Sequence, residues 1–107
     1  MTKAVLHNFF TQRTTTGSSD AIKPVERDKV FQLDGSTSSG GGTAAVDIEG
    51  SLDNVHWETL GTLNLTLASS DTIDKLANSE SWLYVRGNIT TLTGTGAEIT
   101  LNMSTQN

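Results

Sequence analysis

The stretch Ala97-Glu98-Ile99-Thr100-Leu101-Asn102-Met103 alternates apolar and polar residues without a break. Successive side chains of a strand point to opposite faces, so Ala97, Ile99, Leu101 and Met103 share one face and Glu98, Thr100 and Asn102 the other. A helix, with its longer repeat, would scatter these residues around its axis. The stretch therefore calls for a sheet with one buried and one wet face. Upstream, Trp82-Leu83-Tyr84-Val85-Arg86-Gly87-Asn88-Ile89 reads as a second strand, and Thr93-Gly94-Thr95-Gly96 as the turn between them. This pair is expected to form a hairpin at the centre of the sheet.

Shorter stretches supply the other strands. Residues 28–33 place Phe31 and Leu33 together, and residues 43–51 do the same for Ala44, Val46, Ile48 and Gly50. Residues 55–60 return with Val55 and Trp57 on one face, Trp57 being assigned to the core. Gly61 is read as a break, after which Leu63, Leu65 and Leu67 alternate with polar residues. Ile22 and Val25 flank Pro24, which lacks a backbone donor and marks an edge or a connection. Residues 68–79 hold the one helical patch, with Ser69 or Ser70 as cap ahead of Ile73 and Leu76. Residues 34–42 carry four Gly and three Ser and are read as a flexible loop. A phosphate loop would need a Lys and a Ser or Thr after its last Gly, whereas Gly42 leads into Thr43-Ala44-Ala45. The expected fold is all-β: a single antiparallel β-sandwich, jelly-roll-like, of about six to eight short strands spanning residues 1–107.

The composition fits one small domain. At 107 residues and 35% hydrophobic content the core should be thin, so oligomerisation or docking on a larger body would add the missing burial. A net charge of −5 with no basic cluster argues against nucleic acid as a partner. The absence of cysteine excludes disulfides, thiolate metal sites and a cysteine nucleophile. No stretch approaches the roughly 20 apolar residues of a membrane span, and the first residues lack the apolar region of a signal peptide. A soluble protein made in the cytoplasm, without a membrane partner, is the expectation.

Residues for chemistry are sparse. His7 and His56 are the only histidines, and neither sits in a nucleophile or zinc motif. Asp47 and Glu49 share a strand face, the ordinary condition of solvated acids, and with Asp53 they match no calcium loop. The chain is therefore expected to be no enzyme, with no catalytic residue, no metal and no cofactor. What remains is contact chemistry. Val5, His7 and Phe9 alternate with Leu6, Asn8 and Phe10, so both faces of the N-terminal segment carry apolar groups. Residues 1–20 are thus either a contact arm, with Leu6, Phe9 and Phe10 engaging a partner, or a plain first strand. Trp82, Tyr84 and Arg86 form the other candidate contact, since aromatics and Arg are enriched at interfaces. The competing reading packs Trp82 and Tyr84 into the core.

The block from Val46 to Leu60, the strand Trp82–Ile89, the Thr-Gly-Thr-Gly turn and the alternating last strand together resemble small β-sandwich virion proteins of tailed bacteriophages. That class includes capsid decoration, or cement, proteins. The likeness covers residues 43–104. It implies a structural protein on the outer capsid surface, a homotrimer that bridges subunits of the major capsid protein. The same blocks are similar to the discoidin-type galactose-binding sandwich, through Ser51, Asp53 and Trp57 and through Tyr84-Val85-Arg86. This chain is shorter and lacks that family's cysteine pair. The alternative functions are a carbohydrate-binding module or a tail, adaptor or fibre-associated virion part.

Overall fold

The computed structural model describes residues 5–24 and 26–106. Eight strands follow one another: β1 (Val5–Arg13), β2 (Gly17–Ser18), β3 (Asp28–Ser36), β4 (Ser39–Ser51), β5 (Glu58–Leu67), β6 (Thr72–Asn78), β7 (Tyr84–Thr95) and β8 (Glu98–Gln106). They form two antiparallel four-stranded sheets, ordered β1-β8-β3-β6 and β2-β7-β4-β5. This interleaved order is that of a jelly roll, which buries the inner faces of both sheets against each other. The core is built from the alternate residues of each strand: Phe31 and Leu33, Val46 and Ile48, Leu63 and Leu67, Val85 and Ile89, Ile99, Leu101 and Met103.

β8 alternates as the sequence demands, with Ala97, Ile99, Leu101 and Met103 all buried. Its relation to β7 differs from the expected hairpin. β7 lies between β2 and β4, whereas β8 lies between β1 and β3 in the opposite sheet. The Thr93–Gly96 turn therefore carries the chain across the core, with Gly94 and Gly96 at positive φ of 119° and 64°. Both strands are central, each in its own sheet.

Three further expectations are corrected. The helical patch is strand β6, whose Thr72–Asn78 pairs with β3 from Gly35 to Lys29. Leu76 turns inward against Gly61, where a side chain would stand 2.7 Å from its Cδ2. Gly61 does not end a strand either. β5 runs through it, and the register against β4 slips so that Leu60 is the extra residue of a bulge. Residues 34–42 are mostly strand rather than loop, because β3 continues to Ser36 and β4 begins at Ser39. Thr37 ties the corner: its N–H donates to the Ala68 carbonyl at 2.8 Å and its hydroxyl to that of Gly40 at 2.6 Å. Gly42 fits there because a Cβ would collide with the Thr93 carbonyl oxygen.

The N-terminal segment, over Val5–Arg13, is an edge strand paired with β8. The pairing slips between Asn8 and Phe10, leaving Phe9 as the inserted residue. The slip explains two adjacent inward phenylalanines: Phe10 is buried, and half-buried Phe9 stacks on Phe31 with ring centroids 6.1 Å apart. Residues 1–4 of the segment read as an arm, and Val25 beside Pro24, lie outside the described residues. Ile22 is a connection that touches the sheet by one bridge to Val85.

Candidate functional site

One end of the sandwich gathers the aromatic and exposed apolar side chains. Here β4 ends, β7 begins and β5 begins, joined by residues 52–57 and preceded by residues 79–83. Ser51 ends β4 and is fully buried; its hydroxyl accepts the N–H groups of Asp53 and Asn54. Asp53 then organises the loop. Its Oδ1 accepts the N–H groups of Val55 and His56 at 2.9 and 2.8 Å, and its Oδ2 lies 2.7 Å from His56 Nδ1. Those donors, led by the His56 backbone N–H, hold the carboxyl far below the usual carboxylate range. Asn54 takes a positive φ of 63°, which Asn tolerates.

This loop delays the start of β5 to Glu58 and so removes Trp57 from the strand alternation. Trp57 is not a core residue as expected. It is half-buried above the outer face of its sheet, with the Arg86 guanidinium carbon 4.0 Å from the ring centroid. Arg86 is opposite Glu49 in the β4–β7 register, and its Nε donates to Glu49 Oε1 at 2.7 Å. Both members of that ion pair are mostly shielded, at 25% and 12% side-chain exposure, which makes it worth more than an ordinary surface pair. Ring, cation and carboxylate form a stack that fixes the indole.

Trp82 precedes β7 and turns the other way. Its indole lies against Gly50, where a Cβ would stand 2.6 Å from Cδ2, and it packs against the edge of the core. Its Nε1 donates to Glu80 Oε1 at 3.0 Å. That bond, with a second from Asn78, lowers the Glu80 pKa. Lys29 is buried, and its ammonium donates to the carbonyls of Arg27 and Glu80, pinning the segment that carries Trp82. Burial pulls the Lys29 pKa down against the opposing pull of Asp28 and Glu80. Between the two tryptophans opens a cleft of about 360 Å³, lined by Gly50, Leu52, Asp53, His56, Trp57, Glu58 and Trp82. Leu52, Val55 and Leu83 are exposed around this end.

The six residues read as contacts are not brought together. Tyr84 and Arg86 share the outer face of the β2-β7-β4-β5 sheet, with Lys23 Nζ 5.5 Å from the Tyr84 ring. Trp82 has left their face. Phe9 and Phe10 are committed to the interior. Leu6 stands on the outer face of the other sheet at 73% exposure. There the registers Leu6↔Ser104, Val30↔Ser104 and Val30↔Ala77 set an apolar row across the sheet, interrupted only by Ser104. Sequence reasoning missed Val30 and Ala77; the signal was Val30 lying out of phase with Phe31 and Leu33. Among the described residues, no group of three His, Cys, Asp or Glu side chains is placed to hold a metal. No helix among the described residues is long and apolar enough to cross a membrane.

The geometry defines an all-β jelly roll with an aromatic end. No protein-family model matches the chain, and no curated protein does. Among solved structures, it is similar along its whole length to the SPBc2 prophage-derived protein YomS, at TM-score 0.60 and 8% identity, covering 96% of that chain. It is also similar to the PBSX exported protein XepA, at TM-score 0.54 and 18% identity over 94% of this chain. There it spans only 36% of the other protein. At these identities the likeness is one of fold, shared with a prophage-derived protein and an exported one.

Proposed function

We propose that the protein is a non-enzymatic structural component of a tailed-phage particle, of the decoration class, which docks on the outer capsid surface as a homotrimer and bridges subunits of the major capsid protein. The observation that carries this reading is the apolar row on the open face of the β1-β8-β3-β6 sheet, where Leu6 and Val30 are 73% and 44% exposed. An aliphatic row, with Ile73 at 65% exposure further along the same sheet face, is what a docking contact needs at its centre. The prophage origin of YomS, whose fold this chain shares along its whole length, supports the phage setting. The mechanism is physical: a protein that binds only the assembled shell stabilises it by mass action, and three linked contacts raise the effective concentration of each.

The test is co-sedimentation with purified heads of a tailed phage carrying this gene but assembled without the protein, with light scattering on the free protein alongside. Expected are a trimer in solution, saturable binding in multiples of three, and heads that survive higher temperature once loaded. Heads that sediment without the protein at saturating concentration would sink the reading.

A further inference from the structure

We infer that the cleft between Trp57 and Trp82 is a binding site for a neutral saccharide, taking a pyranose ring of β-linked, equatorially substituted type. The inference does not rest on the docking reading, which uses the opposite sheet.

The two indoles are the first ground. Each is held by partners other than a ligand: Trp57 by the Arg86 guanidinium 4.0 Å from its centroid, Trp82 by Gly50 beneath it and by Glu80 on its Nε1. Flat faces fixed in advance lose little conformational freedom on binding. A β-linked equatorial pyranose offers flat C–H faces of matching shape. The second ground is the lining. Asp53 spends both carboxylate oxygens on its own loop, so Glu58 and His56 are the polar groups that the lining offers beside two rings, the mix of apolar wall and few polar groups expected of a small-ligand site. Sugar hydroxyl groups supply donors to the Glu58 carboxylate.

Charge narrows the ligand further. The carboxylates of Asp53 and Glu58 disfavour an acidic sugar. A cationic ligand such as a quaternary ammonium would normally suit an aromatic pair, but Trp57 already carries the Arg86 cation on its ring. A neutral polyhydroxylated ring meets neither objection. The volume of about 360 Å³ sits at the small end of ligand sites, fitting a short saccharide rather than a folded partner.

The test is titration of tryptophan emission in the intact protein with cellotetraose and with the tetramer of N-acetylglucosamine, up to about 20 mM, the range of weak single-site binding. Saturable change with at least one is expected, weakened about tenfold or more in Trp57→Ala and severalfold in Glu58→Gln. Trp82→Ala removes core cover as well, so Trp57→Ala, in the exposed loop, is the deciding variant; its far-ultraviolet circular dichroism should match the parent. Amide shifts in a two-dimensional NMR spectrum should fall on residues 50–58 and 80–83. No saturable response to either sugar overturns the inference, as does a response retained in Trp57→Ala. Displacement by tetramethylammonium would overturn it in favour of a cation site.

Discussion

The ammonium of Lys29 lies inside the sandwich at 2% exposure, donating to two backbone carbonyls on separate segments. A buried charge is tolerated only when its donors are satisfied, and here it ties the residue before β3, Arg27, to the segment before Trp82. Lys29→Met keeps the apolar stem and deletes the donor, leaving both carbonyls without that partner. The expected cost is about 2–4 kcal/mol, read as a lower urea midpoint, with Trp82 emission shifted to the red. A variant as stable as the parent would show the carbonyls finding water. Little of this was legible beforehand, because a lysine beside Asp28 and Val30 reads as solvated, and only the strand phase of Phe31 and Leu33 hints that Lys29 faces inward. Trp57 misled in the opposite sense. Its alternation with Val55 predicts burial, but Ser51 and Asp53 wind the chain into a hydrogen-bonded loop first. Placing it on the Arg86–Glu49 pair needs the cross-strand register, which no local pattern contains.

At the level of elements, the loop of residues 52–57 depends on an ionised Asp53. Its pKa is depressed in the fold, as is that of Glu80, so the stabilisation each gives is fully present above the ordinary carboxylate range and is lost as pH falls through the folded value. Asp34 acts in the other direction: burial and the neighbouring Asp71 raise its pKa, so its contribution is present at low pH and fades as pH rises. The loop should therefore begin to lose support as pH falls below about 4 and loosen fully only well below that, seen as a change in tryptophan emission while the β-sheet circular dichroism persists. Asp53→Asn, which keeps acceptor oxygen but cannot titrate, should flatten that profile; an unchanged profile would assign the loosening to another group. A second expectation concerns the corner between β3 and β4. Gly42→Ala forces a Cβ into the Thr93 carbonyl, backbone that cannot swing aside, and should lower the urea midpoint by about 2 kcal/mol or more, whereas Gly40→Ala meets no neighbour and bears only the strain of its φ of 74°. Strands with one buried face were readable from their period, as β8 and β4 show. β6 was not, because an edge strand with alternate residues merely half-buried carries a weak pattern, and Ser69, Ser70 and Asp71 imitate a helix cap. Gly61 imitates a strand end for a similar reason, since a bulge and a break look alike without the partner strand.

For the whole molecule, the jelly roll separates two surfaces that the sequence had joined. The aromatic end belongs to the β2-β7-β4-β5 sheet and its loops, and the aliphatic row of Leu6, Val30 and Ala77 to the outer face of the other sheet. A particle protein docked by the second would display the first. The division also decides how the N-terminal segment should be tested. A chain beginning at Thr11 would lose Phe10 from the core, Phe9 from its stack on Phe31, and the partner of the β8 edge, so loss of particle binding in it would report unfolding rather than contact. Large-to-small changes at such aromatic positions each cost about 3–5 kcal/mol, a large share of what a domain of this size holds. Leu6→Ser with Val30→Ser changes only exposed side chains and should leave the urea midpoint within about 0.5 kcal/mol of the parent per site. The expected result is therefore a split: the shortened chain fails to fold, while the double variant folds, keeps its response to saccharide, and no longer sediments with phage heads. If the double variant binds heads as the parent does, the aliphatic row is not the contact. If it loses its β-sheet circular dichroism, the row helps hold the sheet together, and the docking surface has to be sought elsewhere on the fold.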